Sequence, residues 1–203
     1  MASKGESTRK RILDTAQSMI LERGYAGVSV DALIGRLGLT KGAFFHHFRS
    51  KGDLARTLIR RYSQEGVQLF RDNLARARKL SDDPLQQYLI FIGLYEELFE
   101  GLTEPYPGCL LASYVMEMQQ FDEEMRDIIN VEFYLSRTEL TRLIEQIMEK
   151  YPPRVEVDPL SLADGFMSAF EGAFILSKSL QEADITAKQL RHYRTYVELI
   201  FSQ

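Results

Sequence analysis

The feature that most restricts the fold of this chain is a pair of short helical patterns separated by one glycine turn. The first pattern has four apolar residues at spacings of three and four: Val30, Leu33, Ile34 and Leu37. This spacing is typical of a two-turn amphipathic helix. Ser29 is a favourable N-cap for it, and Gly38 can end it. After Leu39 alone, Thr40 can cap a second short helix over residues 41–48.

A longer helical pattern precedes this pair and another follows it. Five apolar residues share one face of the segment from Thr8 to Arg23: Ile12, Leu13, Ala16, Met19 and Ile20. Ser50 can cap the following helix, with Asp53 three residues on in a capping-box-like relation. A helix packed before two short helices with a glycine turn describes a helix-turn-helix, which places its second helix in the major groove of DNA.

The second short helix mixes aromatic, basic and histidine side chains, and DNA binding explains the mixture. Phe44 and Phe48 lie four residues apart, so they share a face and can seat the helix on the core. Gly42 lies near the helix N-terminus, where a missing side chain lets the backbone approach a base edge or a phosphate. Four further residues supply positive charge or hydrogen-bond donors: Lys41, His46, His47 and Lys51.

Charge is divided unevenly along the chain. Residues 1–80 contain 16 Lys and Arg against 7 Asp and Glu, whereas residues 81–203 contain 9 against 22. The overall net charge of −4 conceals this division. A basic N-terminal part joined to an acidic remainder suggests that one part binds a polyanion.

Several short motifs follow one another between residues 8 and 60. A helix ending at Gly24-Tyr25 precedes a Ser-Val start, then GLTKG at 38–42, FFHHF at 44–48 and Ser-Lys at 50–51. Together they closely resemble the N-terminal DNA-binding region of the TetR family of bacterial transcriptional regulators. The resemblance implies a three-helix DNA-binding domain, placed here at residues 1–50, and a C-terminal helical effector-binding and dimerisation domain at residues 51–203.

The resemblance also implies a role for each residue of the DNA-reading region. Ser29 and Thr40 would contact phosphates. Four residues would face bases: Lys41, Gly42, Ala43 and His46. Three would lie along the DNA backbone: Phe45, His47 and Lys51. Phe45 departs from the family pattern, which usually has a tyrosine whose hydroxyl contacts a phosphate, so Phe45 would only pack against sugar and backbone.

Helical periodicity continues through the rest of the chain, which predicts an all-α fold. The predicted helices cover 84–101, 109–119, 122–150, 159–181 and 186–202. SDDP at 81–84 marks the start of the first, with a cap and a proline. The only β-like signal is RVEV at 154–157, which is too short to form a sheet.

These C-terminal helices carry aromatic and methionine stripes. Such stripes are typical of buried core, but aromatic and pliable methionine side chains also line ligand pockets. The resemblance implies that this region binds an inducer that shifts the DNA-binding pair apart. We expect an apolar or aromatic effector in a pocket lined by Phe91, Tyr95, Tyr114, Met118 and Phe170.

Cys109 is the only cysteine, and it follows a Pro-Gly turn near a predicted helix N-terminus. That position can lower a thiol pKa, and Gly-Cys-Leu is similar to the NemR-like, electrophile-responsive group of TetR regulators. Leu110 and Leu111 favour a small buried side chain instead, and no Lys, Arg or His lies within ten residues. Redox or electrophile sensing through Cys109 is therefore an alternative to ligand release.

The last two predicted helices are candidates for self-association, since the family pairs them with those of a second chain in a four-helix bundle. Residues expected at that face are Gly165, Phe166, Ala169, Gly172, Ala173, Leu176, Tyr193, Val197 and Ile200. A homodimer would present two reading helices to a pseudo-palindromic operator in double-stranded DNA. The predicted function is a repressor released from its operator by a small molecule. An activator or an effector-independent DNA-binding protein is the alternative.

Other functional classes find no support in the sequence. It contains no P-loop, GxSxG, HExxH or Gly-rich nucleotide motif, so neither an enzyme nor a cofactor is expected. His46 and His47 point ~100° apart on a helix, which argues against a metal site. No apolar run approaches the ~20 residues of a membrane span. Without a secretory signal, and with one cysteine, a cytoplasmic location is expected.

Overall fold

The computed structural model describes residues 4–202, and every regular element in that range is helical. The helices are α1 (Lys4–Arg23), α2 (Val30–Leu37), α3 (Lys41–His47), α4 (Lys51–Leu80), α5 (Pro84–Phe99), α6 (Leu110–Val115), α7 (Glu123–Lys150), α8 (Pro159–Leu180) and α9 (Ile185–Phe201). A short 3-10 turn, Met118–Gln120, lies between α6 and α7. The predicted all-α fold is confirmed, and residues 154–157 form no strand.

Helix starts follow the capping residues. The side chains that accept a hydrogen bond from a backbone N–H in the first turn of the following helix include those of Ser29, Thr40, Asp83 and Asp158. Pro84 and Pro159 open α5 and α8, where the missing N–H leaves no internal bond unmade. Gly38 ends α2 in the left-handed conformation, with φ 65°.

The chain forms two compact units. The first contains the residues up to Glu65 together with Cys109–Asn130, and the second contains Gly66–Gly108 and the residues from Val131 onward. The segment Cys109–Asn130 therefore packs in the same unit as the helix-turn-helix. A division of function between residues 1–50 and 51–203 stays a prediction, because compactness does not report function.

The core of the first unit lies beneath the two short helices. One residue at most 1% exposed comes from each of the four N-terminal helices: Ile12, Leu33, Phe44 and Leu58. The short α3 makes few internal hydrogen bonds, so this buried contact, rather than helix propensity, fixes its position.

Buried aromatic residues join α5, α8 and α9 in the second unit. The Tyr88 and Tyr193 hydroxyl oxygens lie 2.9 Å apart, and the Tyr193 hydroxyl donates to the Leu162 carbonyl at 2.6 Å. Because Tyr193 donates to Leu162, its oxygen is left to accept from Tyr88. Within residues 4–202, none of the helices combines the length and apolar character needed to cross a membrane.

The helix predicted over 109–119 is the largest error of the sequence-based assignment. α6 ends at Val115, and Glu117 has φ −120° and ψ 23°, outside the helical range. At that point the Glu117 carboxylate accepts hydrogen bonds from the backbone N–H groups of Tyr25 and Ala26. These tertiary contacts are made where the predicted helix breaks.

Candidate nucleic-acid interface

The outer surface of α3 is set by two phenylalanines beneath it. Phe44 and Phe48 are 0% and 1% exposed, and their ring centroids lie 5.8 Å apart. The rest of α3 carries four exposed residues, Lys41, Gly42, Phe45 and His46, and two half-buried ones, Ala43 and His47. All six α3 residues predicted to contact DNA are therefore at least partly on the surface.

Ser29 and Thr40 are exposed at the starts of α2 and α3. Ser29 Oγ accepts from the Ala32 N–H at 3.1 Å, and Thr40 Oγ1 accepts from the Ala43 N–H at 3.2 Å. Each hydroxyl uses a lone pair in its cap, so its hydrogen stays available to donate to a phosphate oxygen. Capping and phosphate contact are compatible at both residues.

The two lysines differ in their surroundings. Lys41 Nζ lies 2.9 Å from the Asp31 carboxylate, and both side chains are largely exposed. Such a pair stabilises the fold little, so Lys41 can exchange it for a contact with DNA. Lys51 Nζ lies 4.0 Å from the centre of the Tyr25 ring, and burial lowers the pKa of Lys51 while the charge of Glu117 opposes that shift. A cation–π contact therefore holds Lys51 close to the helix-turn-helix.

Gly42 has no evident reason within the chain to be glycine. A Cβ atom added there would meet only Thr40 Oγ1, at 3.9 Å, and the backbone is not in the left-handed region. Glycine inside a helix costs ~0.5–1 kcal/mol relative to alanine. The space outside Gly42 is open to a partner that approaches the backbone closely.

The two histidines pack edge to face, with ring centroids 5.0 Å apart. In the part of the chain that the structure describes, no group of three His, Cys, Asp or Glu side chains is placed to hold a metal ion. His46 is exposed and His47 is half-buried, so both can reach hydrogen-bond acceptors outside the chain.

Three arginines of α4 face acids of the same unit, which the charge pattern alone did not reveal. Arg56 pairs with Asp122 at 2.6 Å, Arg60 pairs with Glu124, and Arg61 pairs with Asp14 at 2.7 Å. Part of the positive charge counted over residues 1–80 is thus neutralised internally.

The helix-turn-helix also matches a known family. The model for bacterial regulatory proteins of the tetR family matches residues 12–58, which run from α1 through α2 and α3 into α4. The chain belongs to the TetR family. It is therefore a DNA-binding transcriptional regulator, and because this family is not enzymatic, the exclusion of an enzyme is confirmed.

Named relatives of this TetR regulator match it over most of its length. AcuR of Cereibacter sphaeroides is 29% identical over 163 residues, which are 78% of this chain and 71% of AcuR. The repressor DhaR of Mycobacterium sp. is 23% identical over 181 residues, 84% of this chain and 82% of DhaR. The repressor NemR of Escherichia coli is 21% identical over 192 residues, 94% of each chain. NemR is thus a distant homologue.

Solved structures extend the similarity of fold to almost the whole chain. A TetR-family regulator from Agrobacterium tumefaciens superposes with a TM-score of 0.76 at 24% identity, covering 98% of this chain and all of the other. The reduced form of E. coli NemR gives 0.70 at 21% identity, covering 97% of each chain. The predicted fold of a helix-turn-helix followed by a helical C-terminal region is confirmed.

Three of the predicted effector-binding residues lie together in the second unit. The ring centroids of Phe91 and Tyr95 are 5.1 Å apart, and those of Tyr95 and Phe170 are 5.6 Å apart. Phe166, absent from the predicted set, is 5.5 Å from both Phe91 and Tyr95. Phe166 could have been identified from the sequence, because it lies four residues before Phe170 on the same helix. We call these four residues the α5–α8 aromatic cluster.

The other three predicted effector-binding residues, Cys109, Tyr114 and Met118, belong to the first unit. Tyr114 is fully buried, with ring centroids 5.5 Å from Tyr25 and 5.2 Å from Phe121. Cys109 is the N-cap of α6, where its Sγ accepts from the Ala112 N–H at 3.5 Å. A single pocket that contains all six residues stays a prediction.

Sequence reasoning missed a half-buried glutamate, Glu132, in the second unit. Burial, and then the charge of Glu171, raise the pKa of Glu132 to about 7. Within residues 4–202, Glu132 Oε2 and Asn73 Nδ2 are buried without a hydrogen-bond partner. Burial, and then the charge of Glu132, also raise the pKa of the Tyr95 phenol. Glu132 therefore lies electrostatically close to the α5–α8 aromatic cluster, and nothing in its local sequence indicated burial.

Proposed function

We propose that this TetR regulator is a homodimeric repressor that binds a pseudo-palindromic operator and releases it when a small-molecule effector binds. The observation that carries the proposal is the surface of α3. Phe44 and Phe48 fix the helix from below, while Lys41, Gly42 and His46 are left exposed. Cationic and hydrogen-bonding side chains beside an unobstructed backbone suit phosphates and base edges.

In the proposed complex, each of these residues keeps the role that the family resemblance implies. Lys41, Gly42, Ala43 and His46 face bases. The hydroxyls of Ser29 and Thr40 donate to phosphates. His47 and Lys51 lie along the DNA backbone with Phe45, which is 52% exposed. Because Phe45 has no hydroxyl, its contact with the sugar is apolar.

An exposed apolar face on α8 and α9 supports the homodimer. The face consists of Ile175, Leu176 and Leu180 on α8 with Tyr196 and Leu199 on α9, all 48–63% exposed. Gly172 on α8 has open space where a side chain would lie, so another backbone can approach it closely. A second copy of the chain would bury these residues, as obligate homodimers do.

Most residues predicted for this face are in fact core. Ala173, Phe166, Tyr193, Val197 and Ile200 are at most 8% exposed within a single chain, so their assignment to a dimer interface was wrong. The Tyr193 ring would lie 3.2 Å from a Cβ added to Gly165. The sequence could not separate the inner stripe from the outer one because α8 is apolar on both sides.

The α5–α8 aromatic cluster supports an effector that is itself apolar or aromatic. Its rings meet mostly at steep angles, the arrangement in which aromatic edges and faces attract. A ligand with a ring can replace such contacts. It would release the operator only if it bound the non-DNA-binding conformer more tightly than the DNA-binding one.

Thiol-based release is the second candidate. Cys109 is half-buried rather than buried, and its Sγ accepts an N–H bond at a helix start, a position that favours thiolate. Treatment with N-ethylmaleimide should then release the operator from the protein but not from Cys109→Ser. If N-ethylmaleimide releases the operator equally from both proteins, or from neither, thiol-based release is excluded and the small-molecule mechanism remains.

Footprinting on DNA upstream of the gene tests the proposed function. We expect protection of two half-sites centred about one helical turn apart, resistant to unlabelled competitor, with two or a multiple of two chains per site. Reporter expression should rise when the gene is deleted. Protection of one half-site, or a fall in expression, would contradict a dimeric repressor. Because it would bind a chromosomal operator, we place its action in the cytoplasm.

A further inference from the structure

A carboxylate from outside the helix-turn-helix holds the turn between α1 and α2. α1 ends at Arg23, and Gly24 then adopts φ 76°. The next two backbone N–H groups, those of Tyr25 and Ala26, donate to the two carboxylate oxygens of Glu117 at 2.7 and 2.9 Å. Charge-assisted hydrogen bonds of this kind are roughly twice as strong as neutral ones.

The carboxylate is itself held in place. Gln120 Nε2 donates to Glu117 Oε2 at 2.7 Å. A methyl group added to Gly24 would lie 2.8 Å from Glu117 Oε1, closer than carbon and oxygen approach without displacement. Gly24 is therefore favoured by its positive φ, and a side chain at this position would displace the Glu117 carboxylate.

The Tyr25 side chain is fixed by the same part of the chain. Its ring centroid lies 5.5 Å from that of Tyr114 and 5.0 Å from that of Phe121. Lys51 Nζ, at the start of α4, lies 4.0 Å from the ring centre. Residues 114–121 thus hold both the backbone and the ring of Tyr25.

Tyr25 is connected to the reading helix by a short series of backbone contacts. The Val28 N–H donates to the Tyr25 carbonyl at 3.2 Å, and Ser29 follows as the cap of α2. Only residues 38–40 separate α2 from α3. A shift of this turn therefore moves Ser29 and changes the direction in which α2 begins.

We propose that Glu117 is a positioning residue for DNA binding, which sets the orientation of α2 and α3 by holding the amides of Tyr25 and Ala26 without touching DNA. The inference rests on the proposed function, in which α3 is the reading helix. It adds a residue far along the chain, which neither the helix-turn-helix pattern nor the matched residues 12–58 include.

The negative charge of Glu117 means that the direction of the change in DNA affinity distinguishes two explanations. Removing a negative charge from a DNA-binding protein reduces repulsion by phosphates, so a substitution that acts through charge alone raises affinity. Disruption of a positioning interaction lowers affinity instead. Glu117→Gln keeps the size of the side chain but presents an NH2 group to one of the two amides. Glu123→Gln is the matched control, because Glu123 is exposed in the first turn of α7 and undergoes the same change of charge.

The experiment measures operator affinity of the full-length protein by fluorescence anisotropy at several salt concentrations. Loss of one charge-assisted bond predicts that Glu117→Gln binds about tenfold more weakly, while Glu123→Gln binds as tightly as the unaltered protein or more tightly. The salt slope of Glu117→Gln should equal that of the unaltered protein, because the substitution removes no interaction with phosphate. In ¹H–¹⁵N spectra, the amide protons of Tyr25 and Ala26 should shift upfield in this variant alone.

Two further variants keep the outcome decisive. Stoichiometric titration separates the active fraction from the affinity. If Glu117→Gln lowers the active fraction, Gln120→Ala decides, because Gln120 is exposed and its loss should weaken binding about two- to fivefold by freeing Glu117 Oε2. If the Glu117 and Gln120 variants bind the operator as tightly as the unaltered protein while Lys41→Ala binds more weakly, the role of Glu117 is overturned but the proposed function is not. Unchanged affinity in Lys41→Ala as well would overturn the proposed function with it.

Discussion

Gly42 and Phe45 are residues of α3 whose identity the fold of the chain does not explain. Neither packing nor a positive φ requires glycine at 42, and Phe45 exposes about half of a large apolar side chain. Both features carry a cost in the isolated protein. A partner that covers Phe45 and approaches the Gly42 backbone would offset that cost, and we propose that the partner is DNA.

Replacing Gly42 with alanine should therefore separate stability from function. We expect Gly42→Ala to raise the free energy of unfolding by up to about 1 kcal/mol and to weaken operator binding at least fivefold. Urea unfolding and operator titration measure the two effects. Gly52→Ala is the control, because Gly52 is also exposed in a first helical turn. Unweakened operator binding by Gly42→Ala would remove Gly42 from the interface.

Glu132 is a residue whose ionisation opposes folding. Its pKa is raised to about 7 by burial and by the charge of Glu171. The pKa of this carboxyl group is higher in the folded protein than in the unfolded chain. The fold is therefore most stable at pH values below the unfolded pKa, and that stability is lost as pH rises through about 7.

We expect Glu132→Gln to have little effect on the free energy of unfolding near pH 4.5. At pH 8 it should raise that free energy by about 1–3 kcal/mol. Urea unfolding at a series of pH values tests this, with Glu145→Gln as the control on the exposed side of the same helix. A gain that does not vary with pH would show that Glu132 is not buried in its charged form.

At the scale of elements, helix starts could be predicted because their determinants are local. Ser29, Thr40 and Pro84 mark α2, α3 and α5 in the sequence, and the structure places the helices there. The end of α6 could not be predicted, because Glu117 turns toward amides that lie 91 and 92 residues away. The surface of α3 was predictable from spacing and family resemblance, whereas the internal pairing of Arg56 and Arg60 was not.

Two aspartate caps allow a comparison of local and tertiary contributions. Asp83 caps α5 and also accepts from Lys150 Nζ at 2.7 Å and from the Tyr151 hydroxyl at 2.6 Å. Burial alone would raise the pKa of Asp83, but the hydrogen bonds from Lys150, Tyr151 and the Gln86 N–H lower it to about 2. Asp158 caps α8 through the Ser161 N–H.

Since asparagine also caps helices well, Asp83→Asn isolates the contacts with Lys150 and Tyr151. We expect it to lower the free energy of unfolding by about 1–2 kcal/mol at pH 7, whereas Asp158→Asn should cost less than about 0.5 kcal/mol. The lowered pKa of Asp83 means that its contribution is complete above pH 3.8 and is lost as pH falls through about 2. Urea unfolding between pH 7 and pH 2.5 should show the two variants converging. Equal costs at pH 7 would contradict the account.

At the scale of the whole molecule, a single α3 offers too small a surface for tight and specific binding. The proposed two-fold dimer would present two copies of the helix to adjacent half-sites. The exposed apolar residues of α8 and α9 provide a surface that a second copy can cover. DNA affinity should therefore depend on residues that never touch DNA.

The variant Leu176→Lys with Leu199→Lys tests that dependence. Both leucines are exposed in the single chain, so the fold should persist while the charges oppose association. We expect sedimentation at the mass of one chain and operator affinity at least 100-fold lower. Leu80→Lys is the control, being 61% exposed on α4. A double variant that stays dimeric would move the interface elsewhere.

The most direct test of the central claim is the salt dependence of operator affinity in the unaltered protein and in Lys41→Ala. If α3 lies against DNA with Lys41 close to a phosphate, the slope of log affinity against log salt should flatten by ~0.9 for each phosphate that the substitution leaves without a cation. Lys79→Ala, exposed near the end of α4, should leave the slope unchanged. Equal slopes together with equal affinities for all three proteins would show that the surface around Lys41 does not lie against the operator.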